Sequence, residues 1–186
     1  MHIVILSASV RQGRSSHRVA RFFNQFIPAH YQQASVELVD LKDYDFPLFE
    51  ERLKFMDNPS GNILSFAQKI KQANGVIIVT PEYNGGYPAS LKNVTDLLYD
   101  EWRRKPIALV TVSAGPFGGT QVMTSLLFTL WKIGAWVVPA MYPVPRVDEA
   151  YNENGDPVDK EATEKKAKRF LNELTWCMEA AAKMKQ

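Results

Sequence analysis

Val76-Ile77-Ile78-Val79-Thr80-Pro81-Glu82-Tyr83-Asn84-Gly85-Gly86-Tyr87-Pro88 decides the fold. A short β-branched run empties here into proline, acid, aromatic, amide and paired glycines, which is the pattern of a buried strand that stops at a binding loop. Open α/β sheets hold ligands beyond the carboxyl ends of their strands, so chemistry is expected where this run ends.

A second segment of the same kind opens the chain. His2-Ile3-Val4-Ile5-Leu6 leads into Ser7-Ala8-Ser9-Val10-Arg11-Gln12-Gly13-Arg14-Ser15-Ser16-His17, and then into a helix carrying Val19, Ala20, Phe22, Phe23 and Phe26. Clustered serines, an arginine and the free N–H groups of a helix start are the donors a phosphate needs. Ser9, Arg11, Ser15, Ser16 and His17 are the candidates. No lysine follows a GxxxxG pattern and no GxGxxG is present, which excludes a triphosphate P-loop and the usual dinucleotide fingerprint. A mononucleotide monophosphate is the ligand left by elimination.

Further runs at Val36 to Leu41, Ile107 to Val112 and Trp136 to Met141 bring the strands to five. Helical spacing is expected over 16–26, 62–72, 88–99, 121–133 and 160–183. Strand and helix alternate, which predicts an α/β fold with one parallel sheet covered on both faces; the strand order is expected to be 2-1-3-4-5. Pro88 fits the first turn of its helix, which buries Leu91, Val94, Leu97 and Leu98. The last helix places Phe170, Leu171, Leu174, Met178 and Ala181 on one face. Residues 152–157 read as a polar turn.

The 186 residues are 46% hydrophobic and 23% charged, which predicts a single domain over 1–186. Net charge is +2 with acids and bases interspersed, so nucleic acid is not an expected partner. The apolar stretch before Ser7 is short and has no basic region ahead of it, so no membrane span or signal peptide is expected and the location is read as cytoplasmic. Cys177, the single cysteine, is read as a small buried hydrophobe, so electron transfer would require a cofactor. His2, His17 and His30 are scattered without companions at ligand spacing, so no metal site is expected.

The chain resembles the NADPH-dependent FMN reductase family, the flavodoxin-like quinone, azo and chromate reductases. Ser9-x-Arg11 with the Gly13 to His17 segment resembles the family's phosphate loop. Pro81-Glu82-Tyr83-Asn84 with Leu91-Lys92-Asn93 resembles its PEYN and LKN signature, and Ser113 to Gly119 resembles its third flavin loop. The likeness runs from Met1 to about Val144. Two departures stand out: Ala8 replaces a frequent glycine, and the phosphate loop is about one residue longer, which leaves its contacts open among Arg14, Ser15 and Ser16.

The resemblance implies a flavodoxin-like three-layer sandwich binding FMN through Pro81, Glu82, Tyr83, Asn84, Ser113 and Gly115 as well as the phosphate loop. It also implies NADPH, or NADH, as hydride donor, and small acceptors such as quinones, azo compounds or free flavin. No side chain is expected to act as a catalytic acid, base or nucleophile, because hydride transfer needs mainly two rings held at about 3 to 3.5 Å. A flavin-binding electron carrier or redox-sensing module is the competing reading. Trp102, Trp131, Trp136, Phe117 and Phe128 are read mostly as core, with a subunit contact as the other explanation. Relatives of this kind form dimers or pairs of dimers, so a homo-oligomer is expected.

Overall fold

The computed structural model describes residues 1–184. Five strands, β1 (His2–Ser7), β2 (Ser35–Asp40), β3 (Gly75–Pro81), β4 (Pro106–Val112) and β5 (Trp136–Val144), form one parallel sheet in the order β2-β1-β3-β4-β5. The expected strand order is the observed one. Helices α1 (Ser16–His30), α2 (Gly61–Gln72), α3 (Ala89–Leu97), α4 (Thr120–Lys132) and α6 (Lys160–Lys183) are joined by a short α5 (Val147–Ala150).

The period of two along the strands sorts side chains into two cores. Ile3, Ile5, Ile77 and Val79 point to one face, where α1 and α6 cover them with Phe22, Phe23, Phe170 and Leu174. Val4, Leu6, Val76 and Ile78 point to the other, under Phe66 of α2, Leu91 of α3 and Leu126 of α4. A strand buried on both faces reads as a continuous apolar run, which is why β3 carries no alternation.

Several boundaries differ from expectation. Helix α1 runs on through Pro28 to His30, because a proline in the last, exposed turn removes a single ladder bond without ending the helix. Strand β5, which contains Pro139 and Pro143, continues past the expected end at Met141 to Val144. It is an edge strand with a register shift opposite Ile107 to Leu109, and both features tolerate residues that cannot donate. Along α6 the buried face is Phe170, Leu171, Leu174, Cys177 and Met178, while Ala181 is partly exposed. Burial raises the Cys177 thiol pKa, in keeping with an inert core residue.

The large aromatics divide. Trp102 is 1% exposed and lies in the core against Phe66, whereas Phe117, Phe128 and Trp131 are 79%, 65% and 67% exposed. Core packing accounts for the first and not for the other three.

The polar turn at 152–157 docks on α1. Asn152 Oδ1 accepts from the N–H groups of Asn154 at 3.0 Å and Asp156 at 2.9 Å, and Gly155 sits at φ +91°. A Cβ there would lie 2.7 Å from the Arg18 carbonyl oxygen and 2.8 Å from the Phe22 nitrogen, both backbone atoms of α1. Gly155→Ala is therefore expected to destabilise the fold by about 2 kcal/mol or more, from left-handed strain plus a backbone clash. Urea unfolding of the variant beside the parent protein measures this, and an unchanged midpoint would contradict the packing described.

Candidate functional site

Three loops leave the carboxyl ends of β1, β3 and β4 side by side. The first, residues 8–15, is held at both edges. The Ala8 N–H donates to the Val79 carbonyl at 3.0 Å, and the Ser90 hydroxyl donates to the Ala8 carbonyl at 2.6 Å. Arg14 forks onto both carboxylate oxygens of Asp40 at the end of β2, one contact being 2.6 Å, and also donates to the Ser9 carbonyl. Both side chains are nearly buried, so this planar two-point pair locks the loop to the neighbouring strand.

His17 completes that cluster. Its Nδ1 lies 3.0 Å from the Ser7 hydroxyl and 3.4 Å from Asp40 Oδ2. Desolvation by burial lowers the imidazole pKa and outweighs the opposing pull of Asp40, so the ring is a neutral hydrogen-bonding partner and the Asp40 contact is not an ion pair at neutral pH.

The second loop is a tight hairpin. Tyr83 and Gly86 exchange backbone hydrogen bonds of 2.8 and 3.0 Å around Asn84 and Gly85, whose φ values of 53° and 78° mark a two-residue turn of the type that Asn-Gly favours. The Tyr83 hydroxyl reaches back to Ser9 Oγ at 2.7 Å and ties this loop to the first. Glu82 turns its carboxylate to the start of α4, where Oε2 accepts from the N–H groups of Gln121 at 3.1 Å and Val122 at 3.3 Å. A carboxylate on orphan N–H groups at the positive end of a helix dipole is a structural cap.

In the third loop the Ser113 hydroxyl donates to the Gly115 carbonyl at 2.9 Å, and the Ser113 N–H donates to Val144 at 3.0 Å. Gly118 and Gly119 have φ of 65° and 71° and turn the chain into α4, with Gly119 close against the Val112 backbone. The backbone N–H of Val147 donates to the Ser113 carbonyl at 3.2 Å and brings α5 alongside.

Between these loops lies a cavity of about 530 Å³, within the size range of small-molecule and cofactor sites. Arg11, Ser15 and Ser16 line one end, Pro81, Glu82 and Tyr83 one wall, and Ser113 and Gly115 the other. Ser9 sits behind the wall, fully buried and bonded to Tyr83; His17 is turned toward Ser7 and Asp40; Asn84 is at the exposed turn tip. Sequence reasoning missed Asp40, Val112, Val147 and Asp148. An acid closing an apolar strand run was the one available signal for Asp40. Asp148 had none.

Two observations test the fit of a phosphorylated flavin. Ser16 Oγ, at the start of α1, is buried and has no hydrogen-bond partner, and the Arg11 guanidinium makes no ion pair among the described residues. A buried hydroxyl and an uncompensated cation at a helix N-terminus are what a phosphate would satisfy. The glycine and proline loops beyond them leave backbone groups and open space for a flat ring. The residues present fit the group.

A larger hollow of about 710 Å³ lies at the outer edge of β5 against α6, lined by Lys165, Lys166 and Arg169 among others. None of the strand-end loops reaches it, so the smaller cavity is the candidate site.

Residues 1–149 match the family model for NADPH-dependent FMN reductase. The NAD(P)H-dependent FMN reductase LOT6 of Saccharomyces cerevisiae is 34% identical over 133 residues, spanning 65% of this chain and 69% of that protein. The quinone reductase of Escherichia coli K12 is 30% identical over 142 residues, spanning 74% and 73%. Among solved structures, the flavoenzyme NAD(P)H:(acceptor) oxidoreductase FerB of Paracoccus denitrificans superposes with a TM-score of 0.78 at 20% identity, over 96% of this chain and 97% of that one, a likeness of fold. Motifs, sheet order and matched span agree, and the chain belongs to the NADPH-dependent FMN reductase family.

Proposed function

We propose that the chain is one FMN-binding domain that works as an NAD(P)H-dependent oxidoreductase, taking hydride from NADPH or NADH and delivering two electrons to a quinone or similar small acceptor. The observation that carries this reading is the unpartnered Ser16 hydroxyl and unpaired Arg11 at the mouth of α1, facing a cavity walled by three strand-end loops. Bound FMN would supply the two-electron chemistry, since its ring accepts hydride and passes electrons on.

The chain's own part is placement. Arg11, Ser15, Ser16 and the first N–H groups of α1 would hold the phosphate. The backbone of Pro81 to Tyr83 and of Ser113 to Gly115 would hold the rim of the ring, with Val112 as an apolar wall. Glu82 is committed to α4 and so positions its loop without serving as a proton donor. Ser9 and His17 support the loops from behind, and Asn84 shapes the turn.

The surface of α4 supports a homo-oligomer: Leu127, Phe128 and Trp131 are exposed together there and the last two rings lie 5.8 Å apart. Exposed rings in a cluster mark a protein contact more often than a solvated face. No helix among the described residues is long and apolar enough to cross a membrane, and a cytoplasmic location is proposed with the rest.

Anaerobic titration of the FMN-loaded protein with NADPH, and separately NADH, is expected to bleach the flavin absorbance, with quinone restoring it. Failure of both nucleotides would overturn the reductase reading. Arg11→Ala is expected to weaken FMN binding by about 1.5 to 3 kcal/mol, the scale of a charge-assisted hydrogen bond, and unchanged retention would remove Arg11 from the site. In sedimentation, Trp131→Glu is expected to shift the oligomer toward monomer; a parent protein that is monomeric throughout would refute the contact.

A further inference from the structure

Asp148, at the start of α5, brings a carboxylate to the same end of the cavity as Arg11, Ser15 and Ser16. Its Oδ1 accepts the Ser15 hydroxyl at 2.5 Å and lies 3.2 Å from Arg18 Nη1. Arg18 is further engaged by the Tyr151 carbonyl at 3.1 Å and by Glu153, and Arg14 is occupied by Asp40. Arg11, by contrast, has no acidic partner among the described residues.

Two consequences oppose a bound phosphate. The Ser15 hydroxyl has one proton, and it is already given to a carboxylate, so it cannot be donated to a phosphate oxygen without breaking that bond. The carboxylate also places a negative charge beside the position a phosphate dianion would take, and like charges disfavour each other. Asp148 arrives from 133 residues away along the chain, carried in by the Val147 to Ser113 backbone bond that seats α5 on the third loop.

We infer that Asp148 is a specificity- and affinity-setting residue for the flavin phosphate: by holding the Ser15 hydroxyl and placing a negative charge beside the phosphate position it loosens the grip on FMN and narrows the preference for FMN over riboflavin. The inference rests on the flavin reading above. It makes the flavin an exchangeable occupant whose hold is limited at its phosphate end, while the ring end is untouched.

Asp148→Ala tests this, since it removes both the charge and the acceptor that holds the Ser15 hydroxyl while α5 retains its backbone bonds. Dissociation constants for FMN and for riboflavin are measured by flavin fluorescence on purified parent and variant, at low and at high salt. Asp148 is exposed and its charge is screened by salt, so the effect is read at low salt, where the variant is expected to bind FMN about fivefold to tenfold more tightly. Riboflavin affinity is expected to stay unchanged, and the FMN gain to shrink as salt rises. Equal FMN affinity in the two proteins overturns the inference, as does a change of the same factor for riboflavin, which would mean a general structural effect. A parent protein that binds neither flavin would instead overturn the flavin reading itself, and this inference with it.

Discussion

All five strands run in one direction, so every strand-to-helix loop of the sheet opens at a single end. That constraint places 8–15, 82–88 and 113–119 side by side although they are dispersed along the chain, and it makes β3 the central support. A parallel strand needs a crossover to return, and helices on both faces supply it while burying the apolar runs. Were β1 and β3 not paired, with Leu6 opposite Ile78 and Ser7 opposite Val79, the first two loops would have no reason to meet.

Within that frame the loops are braced mostly by the chain's own polar groups. Arg14 forks onto Asp40, Tyr83 reaches Ser9, and Glu82 caps α4. The Arg14–Asp40 pair is nearly buried, so removing either partner would strand a charge away from water. Each brace uses a donor or acceptor that could otherwise face a ligand. What the cavity lining leaves open is correspondingly informative: the buried Ser16 hydroxyl has no partner, and Arg11 makes no ion pair among the described residues.

Much of the fold was legible because its signals are local. β-branched runs, helical spacing and Asn-Gly at a turn depend on a few neighbouring residues, and the parallel sheet follows from strict alternation. The limits were local too: the expected helix stopped at Phe26 and the expected strand at Met141, whereas α1 runs on through Pro28 in an exposed last turn and β5 runs on along a sheet edge. The site was legible as loops and less so as side chains. Ser9 and His17 have the right chemistry for a phosphate, yet both are spent on contacts behind the wall.

The sequence by itself determined the alternation of strand and helix, the two loop motifs and the family likeness, because these arise from residue type at short spacing. Tertiary structure alone decided which polar group meets which. Arg14 finds Asp40 26 residues on, Tyr83 finds Ser9 74 residues back, and Ser15 finds Asp148 133 residues away. Partners so far apart leave no periodicity to read, and hydrogen bonds of 2.5 to 3 Å require a geometry that only the packed sheet and helices supply.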